Sequence, residues 1–284
     1  MRIDAHQHFW KFDPVRDTWI TEEMRAIQRN FLPSDLAAEC AANGIDATIA
    51  VQADQSEAET LFLLELAEQN PLIAGVVGWT DFCSPLLAER MEFFSRYAKL
   101  RGFRHVAQSE PDDRFLMRED FVRGVRTLRE FGFTYDILIY PKQLRAALEL
   151  AAALPEQRFV IDHIAKPDMK ANSNVTWAKS MRAMAQNPNV YCKISGLVTE
   201  ADWLNWKKPD FKPYLDVIFE AFGVERLMFG SDWPVCLVAA SYRQVKDIVE
   251  DYVRDFSEDE KDKIFGENAI RFYGLKTGHL GLAA

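Results

Sequence analysis

One pattern recurs along almost the whole sequence: a short apolar run is followed by a longer stretch whose apolar residues have helical spacing. Strands that alternate with helices in this way form parallel sheets with helical crossovers. The apolar runs lie at residues 2–8, 46–52, 72–79, 100–106, 133–139, 159–164, 190–195 and 227–230. Eight parallel strands are enough to close a barrel. We therefore predict an α/β protein with the (β/α)8 architecture of TIM-type barrels.

The length and the composition agree with one such domain. The chain has 284 residues, and typical (β/α)8 barrels have about 250. A hydrophobic fraction of 48% supplies a large core. We predict a single domain over residues 1–284, with a short C-terminal tail from about residue 275. An open doubly wound sheet is the alternative, but no glycine-rich phosphate loop follows the first strand.

Charge and apolar patterning exclude several kinds of partner. The net charge is −9 and no run of lysine and arginine is present, which argues against a nucleic-acid partner. No apolar run approaches the roughly 20 residues that span a membrane, and no signal peptide follows Met1. None of the four cysteines forms a CxxC pair, which is typical of buried thiols in a reducing compartment. We predict a cytoplasmic protein with a small-molecule substrate, and a homo-oligomer stays open.

The longest irregular stretches share one position relative to the predicted strands. Each of them follows directly after a strand: residues 9–22, 107–117, 165–175 and 199–213. In a barrel of this kind, the loops after the strands lie on the C-terminal face, where active sites are built. We therefore expect the functional residues at the ends of the strands.

Two histidines end the first predicted strand. His6 and His8 are two positions apart, so their side chains point to the same side of that strand. Two imidazoles placed in this way can grip one divalent metal ion or flank a substrate. The alternative for this H-x-H pattern alone is a partly buried pair that hydrogen-bonds to the backbone.

Two other strand ends add polar groups and favour the functional interpretation. His163 follows Asp162 at the end of a buried apolar run, and Asp232 follows the last strand. An ionisable pair at the end of a buried run is costly unless its members are satisfied or used. In a barrel these side chains converge with His6 and His8 at one mouth. We therefore predict that these residues form an active site.

The same segments resemble the amidohydrolase superfamily, and within it the amidohydrolase-2 branch of L-fuconolactonase-type sugar lactonases. The resemblance rests on residues 4–10 (Asp-Ala-His-Gln-His-Phe-Trp), the Asp162-His163 pair with Lys166-Pro167, and residues 230–234 (Gly-Ser-Asp-Trp-Pro). Further motifs agree, at residues 51–53, 75–79, 102–105 and 193–197. The resemblance extends over about residues 2 to 275.

This resemblance implies a barrel hydrolase and a set of site residues. His6, His8, His163 and Asp232 match the family's metal or catalytic positions, and they imply one divalent ion, with Zn²⁺ as the first choice. The fifth strand has no histidine and the fourth has no lysine that could become a bridging carbamate, so a two-metal centre is not expected. Some relatives work without metal, so a metal-independent reaction stays open.

The expected reaction is the opening of a sugar lactone, such as L-fuconolactone, to the aldonic acid. Asp232 is the expected general base, and His163 and Arg104 are the other catalytic candidates. The alternative for Arg104 is an ion pair with a nearby acid. The predicted substrate-binding residues are Gln52, Trp79, His105, Lys193 and Trp10. Two roles are equally open for Lys193, because a buried lysine either neutralises an acid or contacts the substrate.

Other reactions on the same barrel remain as alternatives. One is hydrolysis of a pyrone or a muconolactone, and another is the non-oxidative decarboxylation of an aromatic acid. Dianionic aromatic substrates call for several cations at the mouth, and only Arg104 and Lys193 qualify, so a neutral polyol lactone is favoured. No G-x-S-x-G segment is present, which argues against a serine hydrolase. The retained histidines and Asp232 argue against a binding protein without catalytic activity.

Overall fold

The computed structural model describes residues 1–170 and 174–276. It contains eight strands, each of which lies within its predicted run. The strands are β1 (Ile3–Gln7), β2 (Ala47–Val51), β3 (Ile73–Gly78), β4 (Leu100–His105), β5 (Thr134–Ile137), β6 (Phe159–Ile161), β7 (Val190–Ile194) and β8 (Leu227–Phe229). The strands are almost entirely buried because helices cover their outer faces.

The strands form one parallel barrel in sequence order, from β1 to β8. Residues just beyond β8 pair with β1 and close the circle. The Asp232 backbone N–H donates to the carbonyl of His6 at 2.8 Å, and the His8 N–H donates to the carbonyl of Trp233 at 2.7 Å. The predicted (β/α)8 architecture is confirmed. The closing hydrogen bonds also hold the segment around His6 and His8 against the segment around Asp232.

Helices connect the strands and surround the barrel. They are α1 (Pro33–Asn43), α2 (Glu57–Gln69), α3 (Leu87–Phe94), α4 (Glu119–Leu128), α5 (Leu144–Ala153), α6 (Val175–Ala185), α7 (Leu197–Glu200), α8 (Lys208–Phe222), α9 (Tyr242–Tyr252), α10 (Glu258–Asp262) and α11 (Asn268–Tyr273). None of the helices in the described ranges is long and apolar enough to cross a membrane. Most of the predicted tail from about residue 275 lies outside the described residues, which end at 276.

The prediction that residues 199–213 are irregular is partly wrong. Helix α7 extends to Glu200 and helix α8 begins at Lys208, so regular structure occupies both ends of the stretch. The segment contains two prolines that the helix accommodates. Pro209 lies in the first turn of α8, where its missing N–H is tolerated. Pro213 lies inside the helix without ending it, and the apolar face of α8 buries Phe211 and Leu215 against the core.

A register shift in β1 determines which side chains reach the barrel interior. The pairing of β1 with β2 shifts between Asp4 and Gln7. Asp4 consequently points outwards, where it accepts a hydrogen bond from the hydroxyl of Tyr242 in α9 at 2.9 Å. It also accepts one from the Ser231 hydroxyl at 2.6 Å. Asp4 therefore holds the end of β8 in place, while His6 faces the interior.

The N-terminal end of the barrel is filled with apolar side chains. Ile3 of β1 and Val160 of β6 belong to one buried cluster with Phe272 and Tyr273 of α11. A second, larger cluster lies between the strands and the outer helices. Burial of apolar surface on this scale stabilises the fold by about 25 cal/mol for each Å² removed from water. Polar groups inside the barrel are thereby concentrated above this apolar layer.

Glu59 in α2 is a buried carboxyl group outside that polar interior. It is only 6% exposed and accepts a hydrogen bond from the backbone N–H of Ala53 at 3.1 Å. Burial raises the pKa of Glu59 from 4.5 to about 7, against the lowering effects of the Ala53 hydrogen bond and Arg16. The folded protein therefore keeps this proton to a higher pH than the unfolded chain does. The stabilisation that this bound proton gives the folded state is fully present below about pH 4.5, and it is lost as pH rises through 7.

Glu59→Gln is expected to remove this pH dependence. The amide keeps an acceptor oxygen for Ala53 but carries no charge. We expect the variant's free energy of unfolding to exceed the wild type's by up to about 3 kcal/mol at pH 8 and to differ little at pH 4.5. Urea unfolding at both pH values measures the difference. The exposed Glu65→Gln on the same helix is the control, and an equal effect of Glu59→Gln at both pH values would contradict the assignment.

Candidate active site

A cavity of about 590 Å³ opens at the C-terminal ends of the strands. Loops after seven of the eight strands contribute to its described walls. The lining residues are His8, Trp19, Met24, Ala53, Asp54, Gln55, Arg104, Val106, Gln108, Ser109, Leu138, Tyr140, His163, Lys166, Thr199, Glu200, Trp203, Asp232 and Val235. This is the face on which barrels of this architecture place their active sites.

The structure brings together the four residues predicted to form the site. The Nε2 atoms of His6 and His8 are 3.2 Å apart. Oδ1 of Asp232 lies 3.4 Å from Nε2 of His8, 3.8 Å from Nε2 of His6 and 3.9 Å from Nε2 of His163. All four side chains are at most 5% exposed. One atom of each residue therefore faces a common centre at the floor of the cavity.

The other ring nitrogens of the histidines have partners that orient the rings. Nδ1 of His8 lies 2.7 Å from the carbonyl oxygen of Val51. Since a carbonyl only accepts hydrogen bonds, Nδ1 carries the proton and Nε2 presents its lone pair. Nδ1 of His163 lies 2.9 Å from the Ser195 hydroxyl, and Nδ1 of His6 lies 3.3 Å from Oδ1 of Asp162. Each ring is thus held with Nε2 towards the common centre.

Electrostatics keep the histidines neutral and the carboxylate charged. Burial lowers the pKa of His8, and it lowers the pKa values of His6 and His163 well below 6.5. Burial opposes ionisation of Asp232, but the imidazoles of His163 and His8 and the ammonium of Lys166 outweigh it and lower the pKa of Asp232 below 3.8. At neutral pH the centre therefore consists of three neutral imidazoles and one carboxylate.

The backbone is strained where it delivers two of these side chains. His163, Ile164, Ala165 and Lys166 have φ values of 53°, 47°, 59° and 48°, in the left-handed region. Asp232 has a φ of 57°. A non-glycine residue in this conformation costs roughly 1–2 kcal/mol. Such strain persists where the surrounding structure enforces it, and it is commonly found at functional sites.

Two glycines leave the space that the histidines occupy. A Cβ atom on Gly196 would lie 2.6 Å from Nδ1 of His163, and Gly196 itself has a φ of 64°. A Cβ atom on Gly230 would lie 2.7 Å from Cβ of His6. Both distances are shorter than real contacts, so any larger residue would displace a histidine.

The donor set fits one divalent metal ion. Zn²⁺ binds imidazole nitrogen and carboxylate oxygen at about 2.0–2.2 Å, and donors around a tetrahedral ion at that distance are about 3.3 Å apart. The separations between Nε2 of His6, Nε2 of His8 and Oδ1 of Asp232, 3.2 to 3.8 Å, are close to that value. His6, His8 and Asp232 by themselves form one compact group of candidate ligands. Nε2 of His8 is a neutral nitrogen with a free lone pair, which is the form that a metal ion requires.

Arg104 of β4 connects the cavity with the buried charges beneath it. Its Nη1 donates to Oδ2 of Asp162 at 3.0 Å, and its Nη2 donates to the carbonyl of Gln52. The same guanidinium lines the cavity and is 3% exposed. Both alternatives for Arg104 are therefore compatible with its position: it forms an ion pair and also faces the space for a substrate.

A fully buried network of charged side chains lies beneath the candidate metal ligands. Nζ of Lys193 lies 2.6 Å from Oδ2 of Asp136 and 2.9 Å from Oδ1 of Asp162. The Tyr273 hydroxyl donates to Asp136 at 2.8 Å. Burial raises the pKa of Asp136 to about 6, although Lys193 lowers it. Burial by itself raises the pKa of Asp162 as well. Lys193, His6 and Arg104 outweigh this effect and hold the pKa of Asp162 well below 3.8.

Comparison with known proteins identifies the family. A model of the Amidohydro_2 family, described as "Amidohydrolase", matches residues 3–275. The chain belongs to this amidohydrolase family. The predicted resemblance is therefore confirmed, and the chain is a hydrolytic enzyme by family.

Individual relatives of this amidohydrolase cover nearly its whole length. An L-fucono-1,5-lactonase of Burkholderia multivorans is 42% identical over 97% of this chain and 96% of its own length. An L-fucono-1,5-lactonase of Burkholderia ambifaria is 34% identical, with 96% of both chains covered. A crystal structure of an amidohydrolase from Burkholderia multivorans with bound Zn has a TM-score of 0.94 and 42% identity, and the match covers 97% of this chain and 100% of that chain.

The structure places the residues predicted to bind substrate beside the amidohydrolase cavity rather than in its described walls. The indole of Trp10 is buried and donates to the carbonyl of Arg29 at 2.8 Å. Gln52 is fully buried and donates to the backbone of Arg104. None of Trp10, Gln52 and Lys193 lines the described cavity. Lys193 neutralises acids, which was one of its two alternatives.

Trp79 and His105 support each other next to the cavity. Nε1 of Trp79 donates to Nδ1 of His105 at 3.3 Å, and Nε2 of His105 lies 2.7 Å from Oε1 of Glu110. The ring of His105 stacks on Phe115 at 4.8 Å. Neither residue belongs to the described lining. Their contacts hold the loop after β4, which does contribute to the walls.

Several wall residues were not among the predicted site residues, although Lys166 belongs to a segment that carries the family resemblance. Lys166 and Glu200 form an ion pair of 3.5 Å at the wall, and Gln55, Tyr140 and Trp203 line the same space. All five follow a strand, so the strand-end rule includes them in principle. They were not assigned to the site because the rule does not tell which residue of a long loop turns inwards.

Proposed function

We propose that this amidohydrolase opens a sugar lactone by hydrolysis, with L-fucono-1,5-lactone as the first candidate substrate. The observation that carries the proposal is the convergence of three neutral imidazoles and one carboxylate at the floor of a cavity of about 590 Å³. The names of the two lactonase relatives support the choice of a sugar lactone. A cavity of this volume lies within the range of about 300–1,000 Å³ that small-molecule sites occupy.

Asp232 is the proposed general base. Its Oδ1 faces the imidazoles, so we assign Oδ2 to a water molecule in the cavity. Asp232 accepts a proton from this water as the water oxygen bonds to the lactone carbonyl carbon. The ring carbon–oxygen bond then breaks, and the same proton passes from Asp232 to the departing ring oxygen. The product is the open hydroxy acid.

Positive charge at the cavity floor stabilises the developing oxyanion. Arg104 presents a guanidinium there, held in position by Asp162 and the Gln52 carbonyl. Preorganised donors of this kind lower the barrier because they need not reorient during the reaction. His6, His8 and Asp232 would hold one Zn²⁺ ion with His163 adjacent, and when bound the ion supplies a Lewis acid for the carbonyl oxygen. The other residues orient these four and exclude water beneath them.

The walls of the cavity suit a neutral polyol better than a dianionic ring. The cations in its described lining are Arg104 and Lys166, and each is already paired, with Asp162 and with Glu200 respectively. A dicarboxylate would find no unpaired cation among the described wall residues. Hydroxyl groups can instead hydrogen-bond to Gln55 and the carboxylate of Glu200.

A pH-indicator assay of a lactone panel tests the proposal. We expect acid release from L-fucono-1,5-lactone and its stereochemical relatives, with loss of activity in chelator and recovery after addition of Zn²⁺. Enzyme-free lactone controls correct for spontaneous opening. Hydrolysis of a pyrone dicarboxylate, or carbon dioxide release from an aromatic acid, without any sugar lactonase activity would contradict the proposal.

A further inference from the structure

A second cavity, of about 280 Å³, lies at the opposite end of the barrel. Arg101 at the start of β4 lines it, and so does Arg158, directly before β6. Tyr273 is also a lining residue, and its hydroxyl reaches Asp136 inside the barrel. Lys276 completes the cationic part of the lining. This cavity is therefore separated from the catalytic cavity by the barrel core.

The charge of this second cavity is opposite to that of the protein. The chain has a net charge of −9, yet the described lining holds three cations and no carboxylate. Within residues 1–170 and 174–276, none of Arg101, Arg158 and Lys276 forms an ion pair. A partly buried guanidinium without a counter-charge is costly. Such a cluster is expected to recruit an anion from solution.

The two arginines are held in place by the surrounding backbone. Arg158 donates to the carbonyl of Phe272 at 2.5 Å and to the carbonyl of Gly132 at 2.8 Å. The side chain of Arg101 runs across Gly75, where a Cβ atom would lie 2.9 Å from its Cγ. Nε of Arg101 is buried and has no hydrogen-bond partner among the described residues. Because this Nε is shielded from solvent, an anion in the cavity has to bind the terminal nitrogens of the Arg101 guanidinium.

We propose that this cavity, lined by Arg101, Arg158 and Lys276, binds a small oxyanion. The planar guanidinium of arginine matches the oxygen pairs of carboxylate and phosphate groups. Two sources can supply such a group: inorganic phosphate, or the carboxylate of a sugar acid such as the product of the proposed reaction. The site itself does not depend on the proposed function, because the phosphate source is independent of lactone turnover.

Isothermal titration calorimetry of the full chain with sodium phosphate, and separately with sodium L-fuconate, tests the proposal. We expect saturable binding of at least one anion, weakened about tenfold or more by Arg101→Gln. The control Arg145→Gln, whose side chain on α5 is 84% exposed, should leave the binding unchanged. Lactonase activity is expected to be unchanged in both variants. Tighter binding of one of the two anions identifies the source.

Anion bound at the catalytic end would be insensitive to Arg101→Gln, so the variant distinguishes the two cavities. Lys276→Gln provides the same comparison if Arg101→Gln fails to fold. Absence of binding to the wild-type protein would overturn the proposal. Equal affinity in the wild type and the charge-removing variant would overturn it as well. If the protein hydrolyses no lactone in the panel assay, the proposed function fails, but measured phosphate binding still supports the anion site.

Discussion

Asp232→Asn is expected to lower kcat for lactone hydrolysis by about 10³-fold, within the 10²–10⁴ range that general acid–base catalysis contributes. The amide has the same shape as the carboxylate but cannot accept the proton of the attacking water. Asp232 carries its charge at neutral pH because His163, His8 and Lys166 overcome the effect of burial. The measurement is the steady-state rate with L-fucono-1,5-lactone, with zinc content determined on the same sample.

The zinc content separates two roles of the same side chain. A variant that keeps zinc and loses turnover indicates a base, whereas loss of both indicates that Asp232 acts mainly as a ligand. Asp202→Asn is the matched control, because Asp202 lies on the loop after β7 but outside the described lining of the cavity. Turnover of Asp232→Asn within threefold of the wild type would eliminate Asp232 as the base.

Lys193→Met is expected to have the largest effect on stability, a loss of about 3–5 kcal/mol in the free energy of unfolding. Lys193 is the shared cation of Asp136 and Asp162, at 2.6 and 2.9 Å, and all three side chains are fully buried. Removal of one partner leaves buried carboxylate charge without compensation. Asp162 keeps Arg104 as a partner, so the greater part of the cost falls on Asp136. Urea unfolding at pH 7 measures the change.

The double variant Lys193→Met, Asp136→Asn tests the cause of that loss. It removes the uncompensated charge and keeps an oxygen that can accept from Tyr273, so we expect most of the stability to return. Lys212→Met serves as the control, since its side chain is 67% exposed and its ion pair with Asp216 is a surface pair worth less than about 1 kcal/mol. A change below about 1 kcal/mol for Lys193→Met would show that the buried charges are not coupled as we infer.

The sequence was sufficient to predict the architecture and the convergence of the candidate site residues, because both depend on position along strands. Apolar runs separated by helical stretches specify parallel strands, and the strand-end rule then brings His6, His163 and Asp232 to one face. His6 and Asp232 are 226 positions apart in the chain. Only the closed barrel makes them neighbours.

The direction of individual side chains could not be predicted in the same way. Asp4 belongs to the same short motif as His6, but the register shift in β1 turns it outwards towards Tyr242. Trp79 directly follows β3 and His105 ends β4, yet the two side chains hydrogen-bond to each other beside the cavity. These outcomes depend on local bulges and on partners far away in sequence, which period-two alternation does not contain.

The left-handed turn after β6 could not be predicted from the sequence either. Nothing in residues 163–166 other than their position suggests positive φ values, because none of them is glycine or asparagine. The turn is enforced by its surroundings: the indole of Trp177 donates to the carbonyl of Ile164 at 2.8 Å, and Gly196 leaves room for the ring of His163. Tertiary contacts here override local preference.

Anomalous diffraction at the zinc absorption edge, on crystals of this protein grown with Zn²⁺, tests the catalytic centre most directly. We predict one strong peak at about 2.0–2.2 Å from Nε2 of His6, from Nε2 of His8 and from a carboxylate oxygen of Asp232, with His163 adjacent. A fully occupied zinc ion elsewhere in the molecule, or a map without a peak between these side chains, would contradict the assignment of this cluster as the metal-binding catalytic centre.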